Sequence, residues 1–217
     1  MMQLNAEFDR VVVLNTLELP WHPLAEGAEQ RMLECAGTEH VRSTAIVRFE
    51  PDTVLPSLTE ALGSEIIVLD GEFSADDSVF SAGTYVKNLP RAAYTRKGCV
   101  LFVKQGHLHS DDVEHVVVDV QNSHWRQGLV TGLSVMPLSD YKGEHSALVR
   151  WQPGTVFNPH RHWGGEEIYV MEGVFEDEFG RYPRGTWLRN PHLSQHAPFS
   201  HEGCTIFVKV GHLPDNN

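Results

Sequence analysis

The chain has 217 residues, of which 41% are hydrophobic and 21% charged, and 17 basic against 29 acidic side chains give it a net charge of −12. This composition is typical of a folded globular chain and excludes a disordered one, and no stretch approaches the roughly 20 apolar residues that a membrane helix needs. Because an acidic chain repels polyphosphates, we expect neither nucleic acid nor a membrane as a partner.

The first ten residues mix acidic and basic side chains and contain no positive segment followed by an apolar one. No secretory signal is therefore visible, and we expect a cytoplasmic protein. Cys35, Cys99 and Cys204 are odd in number and far apart, which argues against disulfides and against a cysteine zinc site. We expect Cys99 and Cys204 to be buried core residues.

The sequence contains one module twice. Residues 45–94 align with residues 147–196 at a constant offset of 102, with 15 of the 50 pairs identical. Residues 98–108 then align with residues 203–213 at an offset of 105, with eight of 11 pairs identical. A duplication explains both matches, and the length suits two domains of about 100 residues each. We predict a first domain over residues 1–110 and a second over 111–217.

In chain order, the first predicted elements are a strand at Val11–Asn15 and an amphipathic helix over Leu24–Cys35, where four apolar residues recur at helical spacing. The segment Glu114–Val120 predicts a strand that extends a sheet rather than a flexible linker. In the second copy, segments rich in β-branched and aromatic residues predict strands at Ser146–Trp151, Glu167–Met171, Trp187–Arg189 and Thr205–Val210. Their period of two predicts an all-β fold.

A metal-binding pattern lies in the second copy, where His160, His162 and Glu166 are spaced as H-x-H-x3-E. Residues i and i+2 of a strand share a face, so the two imidazoles project together, and a turn at Gly164-Gly165 can return Glu166 beside them. Imidazole and carboxylate groups suit zinc, iron, nickel, copper and manganese. His196 is the candidate for a fourth ligand.

These residues fall in two motifs that resemble the signatures of the cupin family. The order G-x5-H-x-H-x3-E-x6-G is met by Gly154, His160, His162, Glu166 and Gly173. The order G-x5-P-x-G-x2-H-x3-N is met by Gly185, Pro191 and His196, with Leu193 and Ser200 at its second glycine and its asparagine. The segments 162–173, 182–191 and 203–209 resemble the cupin domain of ChrR-type anti-sigma factors.

The resemblance implies two tandem cupin barrels of the jelly-roll, or double-stranded β-helix, type. It also implies one divalent metal per chain, zinc in the first place and iron, manganese or nickel as alternatives. The positions that match the family's zinc ligands are His160, His162, Glu166 and His196.

The first copy lacks all four ligands, because the offset places Leu58, Glu60, Ser64 and Tyr94 opposite them. We therefore expect a degenerate first domain without metal and a single site per chain. Residues that both copies keep, such as Glu167 and His212 in the second, are expected to be structural.

Several residues beside the ligands either line a pocket mouth or pack against neighbours: Arg161, Trp163, Trp187, Arg189, His192 and Gln195. The acidic run Glu176-Asp177-Glu178 is typical of a solvated hairpin tip. We assign no function to it.

Three functions fit these observations. The first is a sensory or regulatory metal-binding protein of the ChrR type, acting in transcription regulation with a sigma factor. Against it, the H-x3-C-x2-C pattern of that family's N-terminal sigma-binding domain does not occur in the sequence. The second is a mononuclear non-haem iron or manganese dioxygenase that cleaves a small diketone- or hydroxyketone-like compound. The third is a binding or isomerase-like cupin without a redox step. A small molecule at the metal and a second copy of the chain are the remaining expected partners.

Overall fold

The described residues form 22 β-strands. A computed structural model describes residues 3–37, 41–55, 63–89 and 92–214, and it contains no helix there that is long and apolar enough to span a membrane. The all-β prediction is confirmed. The helix predicted over Leu24–Cys35 is wrong, because these residues belong to two strands.

The chain divides into two compact units, Met1–Ala6 with Leu19–Ser123 and Glu7–Glu18 with His124–Asn217. The strands of the first unit are β2 (His22–Ala25), β3 (Ala28–Ala36), β4 (Arg42–Phe49), β5 (Thr53–Leu55), β6 (Ser64–Ala75), β7 (Ser78–Ser81), β8 (Thr84–Lys87), β9 (Ala93–Thr95), β10 (Cys99–Gln105) and β11 (Val116–Asp119). The strands of the second unit are β1 (Val12–Asn15), β12 (Arg126–Gln127), β13 (Leu133–Tyr141), β14 (Glu144–Trp151), β15 (Thr155–Val156), β16 (His160–Arg161), β17 (Glu166–Asp177), β18 (Gly180–Pro183), β19 (Thr186–Asn190), β20 (Gln195–His196), β21 (Phe199–Ser200) and β22 (Cys204–Val210).

The two units share one antiparallel topology. The main sheet of the first has the order β11-β8-β6-β10-β4-β3-β2, and that of the second has the matching order β1-β19-β17-β22-β14-β13-β12. Each sheet curls like a half-barrel around an apolar core, which in the second unit includes Trp151, Val170, Phe175 and Ile206. Cys99 and Cys204 are free and buried in equivalent strands, so the expectation that they are core residues is confirmed.

Two strands lie outside the repeated segments. β1 precedes the first copy and joins the sheet of the second unit, whereas β11 precedes the second copy and joins the sheet of the first unit. In the second unit, β1 pairs with β19, with Val12 opposite Arg189. In the first unit, β11 pairs with β8, with Val116 opposite Lys87. Both predicted strands therefore exist, and each lies at the edge of its sheet.

The long strand β17 pairs with different strands along its length. Its first half pairs with β19 and β22, and its second half pairs with β18 and β21. The register with β22 shifts between Val170 and Glu172, and Gly173 follows with a φ of 70°. The bulge and the glycine bend the strand, so that its two ends, Glu166 and Asp177, both lie against His196.

Candidate metal centre

The structure brings His160, His162, Glu166 and His196 together at one end of the second unit. Each offers one ligand atom, and these atoms all lie within 4.8 Å of one another. The Nε2 atoms of His160 and His162 are 3.0 Å apart. The Glu166 oxygens lie 3.5 Å from Nε2 of His162 and 3.6 Å from Nε2 of His196.

Two short strands place the three imidazoles. β16 pairs with β20 so that His160 lies directly opposite His196. His162 lies two residues beyond His160, on the same face, and Glu166 is the first residue of β17. The spacing therefore did predict how the first three residues converge, and the pairing of β16 with β20 adds the fourth.

A hydrogen bond holds each ligand side chain, and in the three histidines it engages Nδ1, the ring nitrogen on the side away from the cluster. Nδ1 of His160 lies 3.0 Å from the carbonyl oxygen of Asn158, and Nδ1 of His162 lies 3.1 Å from the Ser194 hydroxyl. Nδ1 of His196 lies 3.2 Å from Oδ2 of Asp177. The Asn190 side chain donates to Oε2 of Glu166 at 3.1 Å. Bonds of this kind orient metal ligands and fix the tautomer of each imidazole.

The surroundings shift the pKa of two of these imidazoles in opposite directions. Burial is the main cause that lowers the pKa of His162 to about 4, so this ring is neutral at neutral pH and keeps a lone pair for a metal. Burial also opposes the charged form of His196, but the hydrogen bond with Asp177 and the negative charges of Glu166, Asp177 and Glu178 outweigh it and raise the pKa of His196.

The donor set fits a divalent cation. Nε2 of His196 is buried and has no hydrogen-bond partner, although it faces the other three ligand atoms. A buried polar atom without a partner costs free energy unless a ligand satisfies it. Three imidazoles and one carboxylate are a common donor set for zinc or iron. The four residues would hold the ion through Nε2 of each histidine and one oxygen of Glu166.

Of the four equivalent positions in the first unit, the two that the structure describes, Ser64 and Tyr94, offer neither an imidazole nor a carboxylate. Leu58 and Glu60 lie outside the described residues. Ser64 is buried at the start of β6, and its backbone N–H donates to Asn88. The Tyr94 hydroxyl donates to Asp52 at 2.6 Å, and this bond with the carboxylate raises the pKa of Tyr94.

Of the six residues expected either to line a pocket mouth or to pack against neighbours, Trp187 and Arg189 pack against neighbours. Trp187 and Arg189 alternate with Leu188 and point away from the apolar core: Trp187 donates to Glu167, and Arg189 stacks on Phe8. Arg161 and Gln195 are exposed and lie opposite each other across β16 and β20. Each is adjacent in sequence to a histidine ligand, so its side chain lies on the opposite face of the strand pair. Nδ1 of His192 accepts from Gly164 N–H, and its ring lies against the exposed Trp163.

Glu167, the carboxylate next to Glu166 in the sequence, faces away from the cluster. One of its oxygens accepts from Trp187 at 3.0 Å, and the other lies 2.5 Å from Nε2 of His212. Both Glu167 and His212 are buried. These contacts agree with the structural role expected for the pair.

The prediction of a solvated tip for the acidic run is wrong for two of its three residues. Glu176 and Asp177 are only 4% and 7% exposed. They are the last two residues of β17, and both accept hydrogen bonds there. Sequence reasoning missed Asp177 as a neighbour of His196. The signal was present in the repeat, since the first copy has Ala75 at this position.

The comparisons with known proteins agree with this geometry. A family model described as the ChrR Cupin-like domain matches the chain twice, over residues 9–109 and 113–214. No curated protein matches the chain at a significant level.

Solved structures share the fold at low sequence identity. A candidate dioxygenase from Nostoc punctiforme has a TM-score of 0.75 and 13% identity, with 93% of this chain and 82% of that chain covered. A candidate glyoxylate-induced protein from Pseudomonas aeruginosa has a TM-score of 0.72 and 17% identity, with 100% and 93% covered. A single-residue variant of oxalate decarboxylase from B. subtilis has a TM-score of 0.62 and 12% identity, with 92% and 76% covered.

These likenesses establish the fold, and they carry no activity to this chain. The two family matches together span nearly all of the sequence and coincide with its internal repeat. The chain belongs to the ChrR cupin-like domain family and carries that domain twice in tandem.

Proposed function

We propose that the second unit binds one divalent metal ion through His160, His162, Glu166 and His196, and that zinc is the resident ion. The observation that carries the proposal is the convergence of four ligand atoms within 4.8 Å, with each of the four side chains held by a further hydrogen bond. Imidazole nitrogen and carboxylate oxygen are both ordinary zinc ligands.

We further propose a sensory or regulatory role, in which the bound ion takes up a small molecule from the cytoplasm. His160 is half-buried while the other three ligands are buried, so a ligand reaches the ion from the His160 side. The match of both halves to the ChrR Cupin-like domain supports a regulatory chain. The free cysteines suit a reducing compartment. A sigma factor is the proposed protein partner.

A dioxygenase acting on a small diketone- or hydroxyketone-like compound is the second candidate. Four protein ligands leave two positions open on an octahedral ion, and a redox-active metal needs such positions to bind oxygen and substrate. Metal identity separates this candidate from the first, because zinc has no redox chemistry.

The first test is the metal content per chain, measured by plasma mass spectrometry on protein expressed without added metal. We expect about one zinc per chain in the wild type and a loss of that metal in His162→Ala. His145→Ala is the matched control, since His145 is a half-exposed histidine of the same unit that contacts Asp140. The control should keep the metal.

The other outcomes decide between the candidates. Iron or manganese at one ion per chain would replace the regulatory proposal with the dioxygenase. Equal metal in the wild type and in His162→Ala, or no metal in either, would overturn the proposed site. Capture of a purified sigma factor by the zinc-loaded chain then tests the partner, and failure to bind any sigma factor of the same organism would overturn it.

A further inference from the structure

We propose that Asp177 and Tyr182 are positioning residues of the metal centre: the Asp177 carboxylate keeps a hydrogen on Nδ1 of His196, so that the lone pair of Nε2 faces the metal. The inference rests on the proposed function, because it concerns how one ligand is presented to the ion. It adds two residues that neither family signature contains.

Hydrogen-bond partners hold both oxygens of the Asp177 carboxylate. Oδ1 accepts three hydrogen bonds, from the Tyr182 hydroxyl at 2.9 Å and from the backbone N–H groups of Phe179 and Gly180 at 2.9 and 3.0 Å. Oδ2 lies 3.2 Å from Nδ1 of His196. The side chain is buried, so no bulk water replaces these partners.

The donors around Asp177 decide the tautomer of His196. The Tyr182 hydroxyl and two backbone N–H groups all donate to Oδ1 of Asp177, and donors in this number favour an ionised carboxylate. An ionised carboxylate only accepts, so Nδ1 of His196 must donate. In the neutral ring the lone pair is then on Nε2, the atom that is buried without a hydrogen-bond partner and faces Glu166.

The first unit provides an internal control, because it has the same hairpin without the metal ligands. Phe73 lies opposite Phe80 there, just as Phe175 lies opposite Tyr182. The positions of Asp177, Tyr182 and His196 are taken by Ala75, Phe80 and Tyr94. The hairpin therefore forms without the carboxylate and without the hydroxyl, and these two groups occur only in the copy that has the ligands.

The isosteric change Asp177→Asn tests the proposal directly. Because three donors hold Oδ1, the amide nitrogen of Asn must take the place of Oδ2. It then donates to Nδ1 of His196, which moves the ring hydrogen to Nε2 and covers the lone pair that binds metal. We expect the zinc affinity, measured by competition with a chromophoric chelator, to fall by about 10- to 100-fold.

A second measurement reads the tautomer itself. In the metal-free wild type at a pH where His196 is neutral, ¹⁵N–¹H correlation spectra should show the Nδ1–H form of this ring. In Asp177→Asn they should show the Nε2–H form. A role in folding alone would not change this signature.

The matched control is Glu176→Gln, the same chemical change at the neighbouring residue. Glu176 is equally buried, but it contacts Arg181 and His201 rather than a ligand. We expect its zinc affinity and its His196 tautomer to equal those of the wild type.

Asp177→Ala and Tyr182→Phe introduce the side chains that the first copy has at these positions, so both variants should fold. Tyr182→Phe should lose less zinc affinity than Asp177→Ala.

Failure of this proposal is distinguishable from failure of the proposed function. If the wild type binds zinc and Asp177→Asn binds it within threefold with an unchanged tautomer, the positioning role is overturned and the metal site stands. If the wild type binds no metal, the proposed function falls, and the tautomer of the metal-free ring still decides whether Asp177 orients it.

Discussion

Two candidate metal ligands of the second unit, His162 and Glu166, have hydrogen-bond partners whose equivalents in the first unit differ in identity or in contacts. His162 contacts the Ser194 hydroxyl, and the first copy has Ala92 at that position. Asn190 donates to Glu166, whereas its equivalent Asn88 donates to the backbone carbonyl oxygens of Asp112 and Glu114. An asparagine shared by both copies therefore bonds a metal ligand in one unit and holds a loop in the other.

The equivalent cysteines give a prediction at the same scale. Burial raises the pKa of the Cys99 thiol to about 11 and that of the Cys204 thiol to about 12. At pH 8 their thiolate fractions are about 10⁻³ and 10⁻⁴, against about a quarter for a free cysteine. We expect iodoacetamide at this pH to leave both thiols unmodified in the folded protein.

Peptide mass spectrometry over a time course of alkylation checks this prediction. A guanidinium-denatured sample is the control and should show modification of both cysteines within minutes. Modification of Cys99 or Cys204 before the chain unfolds would show that the thiol is accessible and that the burial argument fails.

At the scale of elements, the sequence patterns predicted strands well where the pleat is regular and failed where it is interrupted. The periodic segments at Ser146–Trp151 and Thr205–Val210 correspond closely to β14 and β22. The predicted helix failed because the register of β3 shifts between Met32 and Glu34. This bulge breaks the period of two and leaves apolar residues at helical spacing.

Local order was enough to predict how His160, His162 and Glu166 converge, since H-x-H on a strand already places two imidazoles on one face. The supporting contacts could not be predicted in the same way. Asp177 reaches His196 only because β17 bends through a bulge and a glycine, and no local pattern encodes where the end of a bent strand will lie.

The bend at Gly173 gives a prediction for an element. A Cβ atom at this position would lie 2.0 Å from the carbonyl oxygen of Gly203 and 2.9 Å from Cα of Cys204, and the φ of 70° disfavours any side chain. The opposing atoms are backbone and cannot move aside cheaply. We expect Gly173→Ala to lower the free energy of unfolding by about 3 kcal/mol or more.

Gly143→Ala is the matched control, because Gly143 has a φ of 91° and no atom within 4 Å of an added Cβ. It should show only the backbone penalty, about 1 kcal/mol. Guanidinium unfolding followed by circular dichroism measures both variants. Equal losses in the two would mean that the close approach of Gly173 to Gly203 does not limit the bend.

At the scale of the whole molecule, the duplication produced two units that are not two consecutive halves of the chain. β1 lies near the N-terminus but belongs to the second unit, and β11 lies after the first copy but belongs to the first unit. Buried side chains anchor both strands: Lys87 holds Asp112 just before β11 at 2.8 Å, and Arg189 donates to the Glu7 carbonyl oxygen just before β1. Period and composition identify both strands, but they contain no information about which sheet a strand will join.

This exchange predicts how the chain behaves when it is cut at residue 110. The fragment 1–110 carries β1 but lacks β11, and the fragment 111–217 carries β11 but lacks β1. Each unit then depends on a strand from the other fragment, because the edges of β8 and β19 are otherwise unpaired. We expect the two co-expressed fragments to elute together in size-exclusion chromatography at the position of the intact 24.4 kDa chain.

Fragments expressed alone should aggregate. Removal of residues 1–18 from the first fragment should weaken the complex, because it takes away one of the two exchanged strands. Two folded fragments that elute separately would show that neither unit needs the strand it receives.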